Sequence, residues 1–189
     1  MSTTNPRIPP LPGEEWTEDA REVFGYWEGP EARKNGSIFN TMMTLANHPR
    51  LAIASLDFGR YLLTKSSLTV RQREITILRV AWLYDSHYQW AHHVRSARRI
   101  GMTDVEFAAL EDDPDYYAWS PEEGAMIRAI DQLCDAGRID DPTWSILAAG
   151  MNRHQLMDFV YSVGFFAMNA WAFGAMGVQI EPGIEPSWK

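Results

Sequence analysis

The chain has 189 residues, 46% of them hydrophobic and 22% charged, with a formal net charge of -8. That length suits one domain with a real core, and the balance is that of a soluble globular protein, not a disordered one. The acidic excess speaks against nucleic acid as a partner, because phosphate binding needs a basic footprint.

In chain order, the opening MSTTNPRIPPLPGEEW is proline-rich and lacks the apolar run of a secretory signal. Residues 1–16 are therefore expected to form a flexible arm and residues 17–189 a single helical domain in the cytoplasm. Helix starts recur downstream. Thr69 with Gln72, Thr103 with Glu106 and Ser120 with Glu123 each read as a capping box. Pro121 and Pro142 fit first-turn positions, and Gly101, Gly137 and Gly150 read as helix ends. Ile75, Leu78, Val80 and Trp82 mark one helix, and Met126, Ile130 and Leu133 another. No run alternates as a strand should. The expectation is an all-α chain of eight or nine helices with short loops, DDPDYYAWSP being the conspicuous acidic-aromatic one.

The single cysteine, Cys134, forms neither an intrachain disulfide nor a dithiol centre and reads as a small buried hydrophobe. Phe159 to Val178 carries no charge and is long enough to span a bilayer. It is flanked by Asp158 and Glu181, lacks Lys/Arg anchors and holds Ser162 and Asn169. A buried central helix or a subunit interface suits it better than a membrane span.

The stretch REITILRVAWLYDSHYQWAHHV, from Arg73 to Val94, is where chemistry concentrates. One helix should run from near Thr69 and falter at Asp85 and Ser86, where a second begins and continues to Gly101. On that second helix Ser86, Gln89 and His93 fall at i, i+3 and i+7, on one face, with His92 about 100° away. If the two helices pack as an angled pair, Glu74 returns to the same face. A carboxylate and an imidazole sharing an apolar pocket can exchange a proton near neutral pH, because burial and ion pairing shift the two groups in opposite senses. Trp82, Tyr84, Tyr88 and Trp90 are candidate low-dielectric walls. Read plainly, Glu74 is a surface acid paired with Arg71 or Arg79, and His93 a structural histidine. Arg95 and Arg79 are candidates to hold a substrate carboxylate, although Arg95, Arg98 and Arg99 also read as a solvated helix side. His87, His92 and His93 lack the i, i+4 spacing of a helical metal site, so no metal is expected.

The pattern E-x11-S-x-Y-Q-W-x-x-H, from Glu74 to His93, resembles the carboxymuconolactone decarboxylase family, which shares its fold with alkyl hydroperoxide reductase D. The flanking LANHPRLAIASLDFGRYLLTKSSLTVRQREITILRVAW and HQLMDFVYSVGFFAMNAWAFGAMGVQIEPG resemble that family's helices too. The peroxidase branch has a glutamate, a CxxC pair and a histidine. Here Glu74 and His93 match the first and last, Ser86 and Gln89 stand in place of the cysteines, and Tyr88 matches the aromatic between them. Trp90 is typical of the cysteine-free members.

The resemblance implies an orthogonal all-α bundle, alkyl hydroperoxide reductase D-like, assembled as a homo-oligomer, commonly a trimer or hexamer. It also implies a cofactor-free lyase or decarboxylase, or a proton-transfer isomerase. The substrate is a small carboxylated lactone or related ring-cleavage acid of aromatic catabolism. His93, Glu74 and Tyr88 are then catalytic, with Ser86, Gln89, Trp90, Arg95 and Trp82 binding substrate. Gln89 replaces a common glutamate, which removes a charge. Without the cysteine pair, thiol-based peroxide reduction is disfavoured. The alternative is a non-catalytic ligand-binding or assembly protein on the same scaffold.

Overall fold

The computed structural model describes residues 6–184. They form ten α-helices and two short 3-10 turns: α1 (Glu18–Glu28), α2 (Pro30–Asn35), α3 (Asn40–Leu45), α4 (Pro49–Thr64), α5 (Val70–Leu83), α6 (His87–Arg99), α7 (Asp104–Leu110), α8 (Pro121–Ala136), α9 (Asp141–Gly150) and α10 (Arg153–Met176). The helix count exceeds expectation because α2 and α3 span six residues each, too short to show a period. No strand occurs among the described residues.

The chain divides into two compact units, one running to Thr64 and taking in Ala172–Ile184, the other Lys65–Trp171. In the first, α1 and α4 bury Ala20, Val23, Phe24, Ala52 and Leu56 together with Met42 of α3. Residues 1–5 of the expected arm lie outside the described residues. From Arg7 on, the arm is hydrogen-bonded: Arg7 and Ile8 donate backbone N–H groups to Met176, and Leu11 donates to Met43. Trp16 closes it, its indole N–H on the Leu11 carbonyl at 2.9 Å and its ring edge-on to Phe24. Gly36, at φ 92°, lies under that ring, and a side chain there would run into Trp16.

The second unit is built around α5. The three capping boxes at Thr69, Thr103 and Ser120 form as the spacing predicts. Gly137 caps α8 in the left-handed region, whereas Gly150 is the last residue of α9, which Met151 caps in extended conformation. Ile75, Leu78 and Ala81 of α5, Trp90, Val94 and Ala97 of α6, Phe107 and Leu110 of α7 and Ile127 of α8 make one core. Arg79 is buried inside it. Its guanidinium makes a bidentate pair with Asp131 at 2.7 and 2.8 Å and donates to the Leu110 and Asp112 carbonyls, both at 2.7 Å. One side chain thus ties α5 to α8 and to the end of α7, and it is a structural arginine rather than a substrate one.

By length and composition α10 could cross a membrane. Its inner face is nonetheless met by protein: the Asp158 carboxylate accepts from the backbone and the hydroxyl of Ser67, at 2.6 and 2.7 Å.

α5 ends in a Schellman motif. The Ser86 N–H reaches the Ala81 carbonyl at 2.8 Å and the Asp85 N–H reaches Trp82 at 3.1 Å, with Asp85 at φ 52°. Glycine usually fills that left-handed position; aspartate tolerates it better than most residues.

Two substitutions probe these features through stability. Arg79→Met strands the Asp131 carboxylate and two carbonyls and is expected to cost about 3–5 kcal/mol, read from the denaturant midpoint. Asp85→Gly removes the left-handed penalty and should stabilise by up to ~1 kcal/mol, whereas Asp85→Val should destabilise by about the same or more. Both changes at Asp85 also remove its exposed 3.2 Å contact with the His87 ring, which contributes little.

Candidate functional site

The Schellman turn sends α6 back along α5. At 1.5 Å per residue Glu74 lies about 14 Å before the end of α5, and His93 about 9 Å into α6. The two side chains meet: His93 Nδ1 is 2.8 Å from Glu74 Oε2. The glutamate side chain is 4% exposed and the imidazole 18%, so the carboxylate is sealed while an edge of the ring is reachable. Phe166 of α10 stands edge-on to that ring at 6.0 Å.

An ionised carboxylate can only accept, so Nδ1 carries the shared proton and Nε2 is left to gain or release one. Glu74 therefore fixes the tautomer and the orientation of His93. That is the minimum equipment of a general acid–base dyad.

The other expected site residues divide. Ser86 and Gln89 share the His93 face, as their spacing predicts, but their groups are already engaged. Ser86 Oγ donates to Gln89 Oε1 at 2.7 Å, and Gln89 Nε2 donates to the Phe166 carbonyl at 3.1 Å, so the two fasten α6 to α10. Tyr88 is buried with its ring against His92, one turn on, at 4.5 Å. Trp90 is 1% exposed and belongs to the core, with Trp82 packed beside it. Arg95 is exposed and, two residues past His93, sits about 200° around the helix from it.

Tyr84 donates its hydroxyl to the Cys134 carbonyl at 3.1 Å, and burial together with that bond pushes its pKa up to about 12. It stays protonated and serves as a fastener. Burial also pushes the Cys134 thiol up, away from the thiolate that nucleophilic chemistry needs. Among the described residues no group of three or more His, Cys, Asp or Glu side chains is suited to a metal ion.

The arginine beside the dyad is one that spacing did not single out. Arg73 Nε lies 4.0 Å from Glu74 Oε1, with the side chain 15% exposed. The signal was its adjacency to Glu74; what hid it was Arg71 and Arg79, three and five residues from that glutamate and close to helical spacing from it. Arg71 proves to be paired with Glu106 and Glu123.

Known proteins show the same fold. An uncharacterised peroxidase-related protein of the alkylhydroperoxidase AhpD core from Ralstonia eutropha JMP134 superposes with a TM-score of 0.75 at 17% identity, over 94% of each chain. An uncharacterised peroxidase-related protein from Silicibacter sp. TM1040 gives 0.73 at 17% identity, over 97% of this chain and 93% of that one. The debrominase Bmp8 gives 0.73 at 15% identity, over 95% of each. A cysteine-to-alanine variant of Bmp8 was solved with 2,3,4-tribromopyrrole. Among curated proteins none matches the sequence. The profile of the Carboxymuconolactone decarboxylase family matches residues 49–132, which hold α5, α6 and both members of the dyad. With Glu74 and His93 standing where the motif puts them, the chain is similar over that region to the carboxymuconolactone decarboxylase family.

Proposed function

We propose that the chain is an acid–base lyase or isomerase acting on a small carboxylated lactone or a related ring-cleavage acid. The observation that carries this is the 2.8 Å Glu74–His93 contact, sealed on the carboxylate side and reachable on the imidazole side. The family match supports the reaction class. Bmp8, a debrominase seen with a halogenated pyrrole, supports a flat ring as cargo for this scaffold. Thiol chemistry is not part of the proposal, because Ser86 and Gln89 occupy the positions of the cysteine pair and the chain's single cysteine is Cys134.

For decarboxylation the balance is simple. The bond between ring carbon and carboxylate breaks, and its electron pair enters the lactone-conjugated system as a dienolate. CO2 leaves, and the proton on His93 Nε2 passes to carbon. Solvent then reprotonates the imidazole, so one proton is consumed per CO2 released. Glu74 holds the imidazolium in place before the transfer and keeps the neutral tautomer correct after it. Isomerisation uses the same two residues with the proton taken from one carbon and returned to another.

We also propose self-association through α10. Met157, Tyr161, Met168 and Trp171 are exposed at steps of four, seven and three residues along one side, a heptad-like apolar stripe that supports helix pairing between copies.

Incubation with a panel of carboxylated lactones, read by mass spectrometry, tests the chemistry. His93→Ala is expected to lower turnover about a hundredfold or more in a folded protein. Glu74→Gln should lower it through the same step, so the double variant should be little worse than the poorer single one. Turnover unchanged in folded His93→Ala sinks the assignment. Binding without conversion of any panel member favours the non-catalytic ligand-binding reading. For assembly, Tyr161→Glu with Met168→Glu should reduce the mass measured by light scattering to that of one chain; a parent protein already of that mass removes the proposal.

A further inference from the structure

We propose that Arg73 is the anchor of this site, its guanidinium receiving a carboxylate of the ligand beside the Glu74–His93 dyad. This rests on the acid–base reading above and names what that site holds. The three arginines of α5 have different fates. Arg71 is ion-paired to Glu106 and Glu123. Arg79 has its donors taken by Asp131 and two carbonyls. Arg73 has Glu74 Oε1 at 4.0 Å, beyond hydrogen-bond reach, and its Nε is buried with no hydrogen-bond partner.

A buried guanidinium N–H without an acceptor is rare in a folded protein and marks a place where an acceptor is brought in. Glu74 does not serve, because its other oxygen is drawn to His93. Arginine offers Nε–H and a neighbouring Nη–H side by side, the spacing of the two oxygens of a carboxylate. The charges agree as well. With His93 protonated for the transfer step, Arg73, His93 and Glu74 carry one formal positive charge together, which a single carboxylate neutralises. The ligand's acid group is thereby held on the same helix turn as the carboxylate that steers the imidazole, so that binding and orientation share one support.

Calorimetric titration of the full chain tests the anchor, with benzoate, phenyl phosphate and benzamide as probes. Benzoate is expected to bind saturably, and the neutral benzamide and the tetrahedral phosphate at least tenfold more weakly. Arg73→Gln should weaken benzoate tenfold or more. Arg73→Lys, which keeps the charge and loses the paired donors, should weaken it measurably as well. Arg99→Gln, on the exposed end of α6, controls for net charge and should bind like the parent. Circular dichroism confirms that each variant is folded; if Arg73→Gln is not, Arg73→Lys decides. Benzoate binding that is absent from the parent, unchanged in Arg73→Lys or surpassed by phenyl phosphate overturns the proposal. The readout is separate from turnover. A chain that binds benzoate through Arg73 and converts nothing keeps the anchor and loses the acid–base reading. His93-dependent turnover with unaltered benzoate binding in Arg73→Lys does the reverse.

Discussion

The second unit is organised around a helix whose middle has no wet side. From Glu74 to Ala81 every residue of α5 is buried, so its polar groups cannot look to solvent and must be met by protein. Thr76 returns its hydroxyl to the Gln72 carbonyl at 2.8 Å, Arg79 finds Asp131 and two carbonyls, and Glu74 finds His93. The last two of these solutions draw another element onto α5. The dyad is one member of that set, and its precision comes from the same source as the stability of the unit. Two helices already locked by a shared core hold the carboxylate and the imidazole, and neither side chain has to be ordered when a ligand arrives.

The polar contacts on α6 work at two levels. Ser86 and Gln89 occupy the family's cysteine positions but act as a clasp to the Phe166 carbonyl, and the ring of that phenylalanine covers one side of His93. A face that in thiol-bearing members carries redox chemistry is here used to position an imidazole. Where a cysteine pair would supply two thiols, this chain has a hydroxyl hydrogen-bonded to an amide.

Local signals in the sequence proved legible. The capping boxes, the break at Asp85 and the common face of Ser86, Gln89 and His93 all follow from interactions within a few residues, and spacing encodes those directly. The return of Glu74 to His93 was legible only through the motif, because nothing in α5 alone says which way α6 packs. Distant partners were not legible. Arg71, Arg73 and Arg79 look alike in the chain, and what separates them is Glu123, Asp131 and a pair of carbonyls some thirty to fifty residues away. Burial was not legible either: Trp90 lies within the motif and belongs to the same core as Ile75 and Leu78.

The turn at Asp85 has a consequence for chain length. Ser86 is tethered to the Ala81 carbonyl, so the angular phase of α6 is set at its first residue. One residue inserted in the first turn of α6 carries every later side chain about 100° round the axis. Tyr88 then falls where Gln89 was and the clasp to Phe166 is lost, yet His92 falls where His93 was. The adjacent histidines thus act as a spare in the frame: a slip of one residue forward still presents an imidazole to Glu74, whereas a deletion brings Val94 there. Insertions and deletions in this turn are therefore not equivalent in the side chain they present to Glu74.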